Sequence, residues 1–156
     1  MELDISHLYA DKTWVQIGTG LGGSLRRELL ESAKEYAESL AIPELTCSLE
    51  KSGSGRFLGW GANKALVLQA DFKPYAFRGI FTLNSFAETC VLGIYKLLTG
   101  DSFFVVNQSA EVRRRAVVDK LKHLDTLDYF FMVDKVVDQV GEFLQGAVKE
   151  VLSSPD

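Results

Sequence analysis

The stretch from Lys64 to Leu83 constrains the fold more than any other part of the chain. Apolar residues fall on every second position from Lys64 to Phe72, with Leu66, Leu68, Ala70 and Phe72 on one side. Lys73-Pro74-Tyr75 then turns the chain, and Phe77, Gly79, Phe81 and Leu83 alternate against Arg78, Ile80 and Thr82. A period of two places successive side chains on opposite faces of a strand. So short a connection joins antiparallel neighbours, because a parallel crossover needs roughly a dozen residues or more. The two segments therefore form an antiparallel hairpin.

The flanking segments extend this plan. Thr13 to Ile17 reads as a strand, ended by the glycines of Gly18 to Gly23. From Ser24 the period lengthens: Leu25, Leu29, Ala33, Tyr36, Ala37 and Leu40 share one helical face, and Pro43 is expected to close the helix. Leu45 to Glu50 and Arg56 to Trp60 read as further strands. Ser85-Phe86-Ala87-Glu88 has capping-box spacing, so Ala87, Val91, Ile94, Tyr95 and Leu98 are expected on a helix that Gly100 stops. Ser102 to Val106 is a short strand, Ala110 to Leu124 a helix, and Asp125 or Thr126 caps a last helix to about Leu152. The expected class is α+β: a mostly antiparallel sheet of about five to six strands, helices packed on one face, and two C-terminal helices.

With 156 residues the chain is read as a single domain, 1–156. Hydrophobic residues make up 47% and charged residues 24%, which excludes a disordered chain and a disulfide-stapled mini-protein. The net charge of -4 argues against a dedicated nucleic-acid binder. Arg113-Arg114-Arg115 does not reverse this, since consecutive helical residues fan over about 200° and Glu111 and Asp119 lie nearby. No apolar run is long enough to span a membrane, and the start, Met-Glu-Leu-Asp-Ile-Ser-His, lacks a secretory pattern. The expectation is a cytoplasmic protein with no membrane partner. Cys47 and Cys90 fit no CxxC spacing and sit among apolar residues, as buried structural thiols do.

No catalytic constellation stands out. His7 and His123 are the only histidines, and His123 follows Asp119 by four, the spacing of an ordinary helical ion pair. Neither a metal site nor a cofactor is expected. The glycines offer more. Gly18-Thr19-Gly20-Leu21-Gly22-Gly23 holds a G-x-G-x-x-G spacing between a strand and a helix. Gly18, Gly20 and Gly23 would let a phosphate approach backbone N–H groups, and Ser24, Arg26 and Arg27 would add a hydroxyl and two cations. Arg56 and Trp60 could complete such a site. No acidic residue lies about 20 positions on at a strand end, the nearest candidate, Glu50, being late, and the repeated βαβ units and any G-K-[ST] are absent. The competing reading is a flexible strand-to-helix turn.

The last helix carries the other candidate. Phe130, Val133, Val137, Val140, Leu144, Ala147 and Val151 follow a heptad seam, widened by Val136, Phe143 and Val148. The apolar residues spread over roughly 140°, wider than one core requires. Val133, Val137, Val140, Leu144 and Val148 are therefore candidate homodimer contacts, against the alternative of internal helix packing. The expected function is a non-catalytic binding domain that self-associates through this helix. The alternative is a small-ligand or phosphate/nucleotide-binding domain, enzymatic or not, using the 18–23 loop and the helix start.

Overall fold

The computed structural model of the chain describes residues 13–19, 22–51, 64–72, 75–86, 89–99 and 123–153. In chain order these are β1 (Thr13–Thr19), α1 (Gly23–Ser39), β2 (Leu45–Lys51), β3 (Lys64–Phe72), β4 (Tyr75–Phe86), β5 (Thr89–Thr99) and α2 (Leu124–Ser153). The protein is α+β. Its antiparallel sheet has the order β1-β5-β4-β3-β2, with both helices on one face. The expected strands at 56–60 and 102–106, and nearly all of the expected helix 110–124, lie outside the described residues.

The order explains the length of α1. β1 and β2 stand at opposite edges of the described sheet, so α1 must carry the chain across its face. Its 17 residues span about 25 Å, and edges four strand spacings apart lie about 19 Å from each other. The helix ends at Ser39, and Ala41 takes a left-handed φ of 53°. That reversal stops the helix before Pro43, which was expected to do so. The Pro43 carbonyl instead accepts a 2.6 Å hydrogen bond from the Tyr129 hydroxyl of α2.

The period-two reading holds for the central hairpin. Ala65 pairs with Thr82 and Phe72 with Tyr75, so β3 and β4 are antiparallel neighbours. Leu66, Leu68, Phe77, Phe81 and Leu83 are buried toward the helices. On the opposite face Ala65, Val67, Ile80 and Leu97 form a second buried cluster with Tyr95 packed against it.

The segment after Ser85 corrects the sequence reading. Where a helix was expected through Ala87, Val91, Ile94, Tyr95 and Leu98, the chain forms β5, paired with β4 from Ala76–Thr99 to Phe86–Thr89. A strand buried on both faces loses its polar alternation and becomes a continuous apolar run, which periodicity cannot tell from a helix. Cys90 and Leu92 enter the main core while Leu97 enters the far cluster, the signature of such a strand.

α2 closes the core. Phe130, Val133, Val137, Val140, Leu144 and Val148 are fully buried beneath it. The Phe130 ring meets Phe77 edge-on at 6.4 Å, and Phe143 stacks on Tyr36 of α1 at 4.4 Å. The helix begins at Leu124, slightly before the expected cap, and the His123 carbonyl accepts from the Leu127 N–H. Asp125 lies inside the first turn, where its charge suits the helix dipole, and it accepts from the Thr126 N–H at 2.9 Å.

Two glycines set how closely α2 approaches the sheet. A Cβ on Gly79 would collide with Val137 Cγ2, and one on Gly141 would lie 2.6 Å from Ile94 Cδ1. Gly79→Ala is therefore expected to cost about 1–3 kcal/mol, the usual range for overpacking. Val137→Ala in the same chain should recover part of that loss by making room. Urea unfolding of the two single variants and the double checks this; strictly additive costs would show that the contact does not set the spacing.

Candidate functional site

Two regions carry the candidates: the start of α1 and the length of α2. At the first, Gly18 lies in β1, Gly22 is the N-cap of α1 and Gly23 is its first residue. Gly22 has an extended backbone, φ -64° and ψ 157°, and provides no side-chain cap. The first turn contains no acidic residue. Ser24 is exposed, Arg26 half-buried and Arg27 exposed. The Arg26 guanidinium folds back toward the glycines, since a Cβ on Gly23 would lie 3.7 Å from Arg26 Nη2. Arg27 makes a 3.5 Å ion pair with Glu31 one turn on, between two well-solvated side chains. Gly20, Arg56 and Trp60 lie outside the described residues.

Cys90 belongs to this neighbourhood. Burial pushes its thiol above the ordinary range, and the Arg26 charge pulls the other way. Cys47 is half-buried on β2, its thiol raised by burial and by the Glu38 charge, with Lys34 opposing. Both cysteines are free. Among the described residues no group of three His, Cys, Asp or Glu side chains is placed to hold a metal ion.

The five α2 positions read as dimer contacts are placed differently from the glycine turn. Val133, Val137, Val140, Leu144 and Val148 are all fully buried within the single chain. Their partners are the sheet and α1, which accounts for the unusual width of the apolar face: one side of the seam meets β-strands and the other meets a helix.

Sequence reasoning missed one polar cluster. Lys96 of β5 reaches up from the helix-covered face, and its Nζ lies 2.9 Å from Asp134 Oδ1 and 2.9 Å from Asp138 Oδ1 of α2. Asp134 and Asp138 are one turn apart and share a face. The signal was present: a lone lysine inside the apolar run 90–98, and two aspartates at i,i+4. It went unread because the run was assigned to a helix. The cluster ties α2 to the sheet and is structural in kind.

No protein-family model matches the chain, and no curated protein matches it. Among solved structures it is similar to the Zhui aromatase/cyclase from Streptomyces sp. R1128, at 13% identity and a TM-score of 0.31, over 92% of this chain and 96% of that one. Among the described residues no helix is long and apolar enough to cross a membrane.

Proposed function

We propose that the protein is a ligand-binding domain that takes the anionic group of a small molecule at the start of α1. One observation supports this reading. The helix begins on two glycines with no side-chain cap and no acidic residue in its first turn, while Arg26 closes that turn and Arg27 follows it. The first N–H groups of a helix lack intrahelical partners and carry about half a positive charge. Cations beside them are unfavourable, by roughly 0.3–1 kcal/mol each at exposed positions. An anion offsets that cost, taking hydrogen bonds from the exposed N–H groups and charge from the arginines. The Arg27–Glu31 pair is exposed and worth at most about 1 kcal/mol, so it gives way readily. Gly18, Gly20, Gly23, Ser24, Arg26 and Arg27 are the proposed binding residues, with Arg56 and Trp60 as sequence candidates. The proposal is of binding, with no reaction assigned.

Gly22→Asp separates this site from an ordinary turn. The extended backbone at Gly22 accepts any residue, and a Cβ there meets nothing within 4 Å. An aspartate should cap the helix and complement its dipole, raising stability by about 0.5–1 kcal/mol. The same carboxylate should repel a phosphate. Wild-type protein titrated with inorganic phosphate and pyrophosphate, followed by amide chemical shifts, is expected to show saturable shifts at residues 22–27. Gly22→Asp should weaken binding at least tenfold while unfolding later. Absence of saturation at about 50 mM pyrophosphate, or unchanged binding in the variant, would overturn the proposal.

A further inference from the structure

We propose that the solvent-facing side of α2 is the contact of a two-fold homodimer, with the two copies of the helix antiparallel and crossing at Phe131 and Met132. The large exposed apolar side chains of the described residues all lie on the first two to three turns of this helix: Leu124 at 78%, Phe131 at 41% and Met132 at 37% exposure. At about 100° per residue Leu124 and Phe131 fall on the side opposite Val133, Val137, Val140 and Leu144, which face the core, and Met132 falls on the flank between. This is not the seam that the heptad spacing suggests; it is the other side of the same helix.

Charge selects the occupant. Asp128 and Lys135 are exposed and flank the pair Phe131–Met132 symmetrically, three residues to each side. In an antiparallel pair crossing midway between Phe131 and Met132, Asp128 of one copy faces Lys135 of the second, and the contact occurs twice. The same crossing sets Phe131 against Phe131 of the second copy on one flank and Met132 against Met132 on the other, since consecutive helical residues stand about 100° apart, and it brings Leu124 level with the exposed Gln139. It also brings Asp125 level with Asp138, but these lie on opposite flanks of the stripe, and Asp138 is held by Lys96. The face is thus complementary to itself under one operation, as a two-fold contact requires. A parallel pairing would instead set Asp128 against Asp128. Two helical turns are a small contact beside the ~800 Å² per partner of a standard interface, so the dimer is a concentration-dependent one. The proposal does not rest on the anion site at α1, and either can fail alone.

Sedimentation velocity of the full chain from about 10 µM to 1 mM tests it. The wild type is expected to move from 17.3 kDa toward twice that mass. Phe131→Glu should weaken association at least tenfold with an unchanged circular dichroism spectrum, because the ring is already partly in water. Asp128→Lys and Lys135→Asp should each be monomeric alone, since each places like charges opposite one another twice. Mixed one to one, the two variants should associate, because every facing pair is then opposite in sign. A wild type that stays monomeric at 1 mM would overturn the proposal and leave the face to an unrelated partner. A wild-type dimer insensitive to Phe131→Glu, or a mixture that fails to associate, would overturn it too.

Discussion

Leu144→Asp is expected to leave the chain unfolded, whereas Phe131→Glu, on the same helix, is expected to leave it folded. Leu144 is fully buried among apolar side chains of the main core. An unpaired carboxylate there costs several kcal/mol at least, either as buried charge or through protonation. That is comparable with the whole stability of a typical domain, about 5–15 kcal/mol. Val137→Asp should behave the same way, since Val137 is equally buried under Gly79. Phe131 has 41% of its surface in water, and one of its ring contacts is with Phe130 at 5.4 Å. Its replacement should cost about 1 kcal/mol or less. Far-ultraviolet circular dichroism and gel filtration of the variants check the contrast. A folded, soluble Leu144→Asp monomer would show that the seam is an interface between copies and not the core of one.

Periodicity identifies which side of a helix is apolar, and it is silent on what covers that side. The heptad positions of α2 were legible as a seam, yet the seam meets β4 and α1 of the same chain. The extra width that suggested a second surface comes from packing against two kinds of element at once. Where one face of an element is polar, the sequence reading survives: α1 spans Gly23–Ser39 against an expected Ser24–Leu40, and β2 falls where it was expected. β3 is buried on both faces and was still placed, because Gln69 and Asp71 restore the alternation toward its end, whereas β5, an unbroken apolar run from Cys90 to Tyr95, was not. That failure hid the Lys96 cluster, because a lysine on a strand and two aspartates on a distant helix meet only through tertiary structure. The glycine turn was legible as a helix start, from composition alone. The missing cap and the arginine folded back on Gly23 needed coordinates. The exposed pair Phe131–Met132 was hidden for the opposite reason: two apolar residues off the seam carry no pattern until burial sorts them from their neighbours.

Lys96→Met should destabilise the protein by about 2–4 kcal/mol, and the loss should persist in 1 M salt. Lys96 and Asp134 expose only 15% and 16% of their side chains, so their attraction is less screened than that of a surface pair. Removing one member of a buried pair leaves the other charge in poor solvent, which costs about 3–5 kcal/mol at full burial and less here. Asp138 is 53% exposed and contributes through the same ammonium, so Asp138→Asn should cost no more than about 1 kcal/mol. The pair itself need not be favourable against an apolar replacement. Methionine retains most of the lysine's stem and packs on the same surface, so the double variant Lys96→Met with Asp134→Leu should recover much of the single variant's loss. Urea unfolding at low salt and at 1 M sodium chloride reads all four proteins. Ion pairs that matter only at the surface would give Lys96→Met a loss under about 0.5 kcal/mol that disappears in salt. A persistent loss with recovery in the double variant means that the cluster fixes the seat of α2 on β5: the lysine can leave only if its aspartate leaves with it.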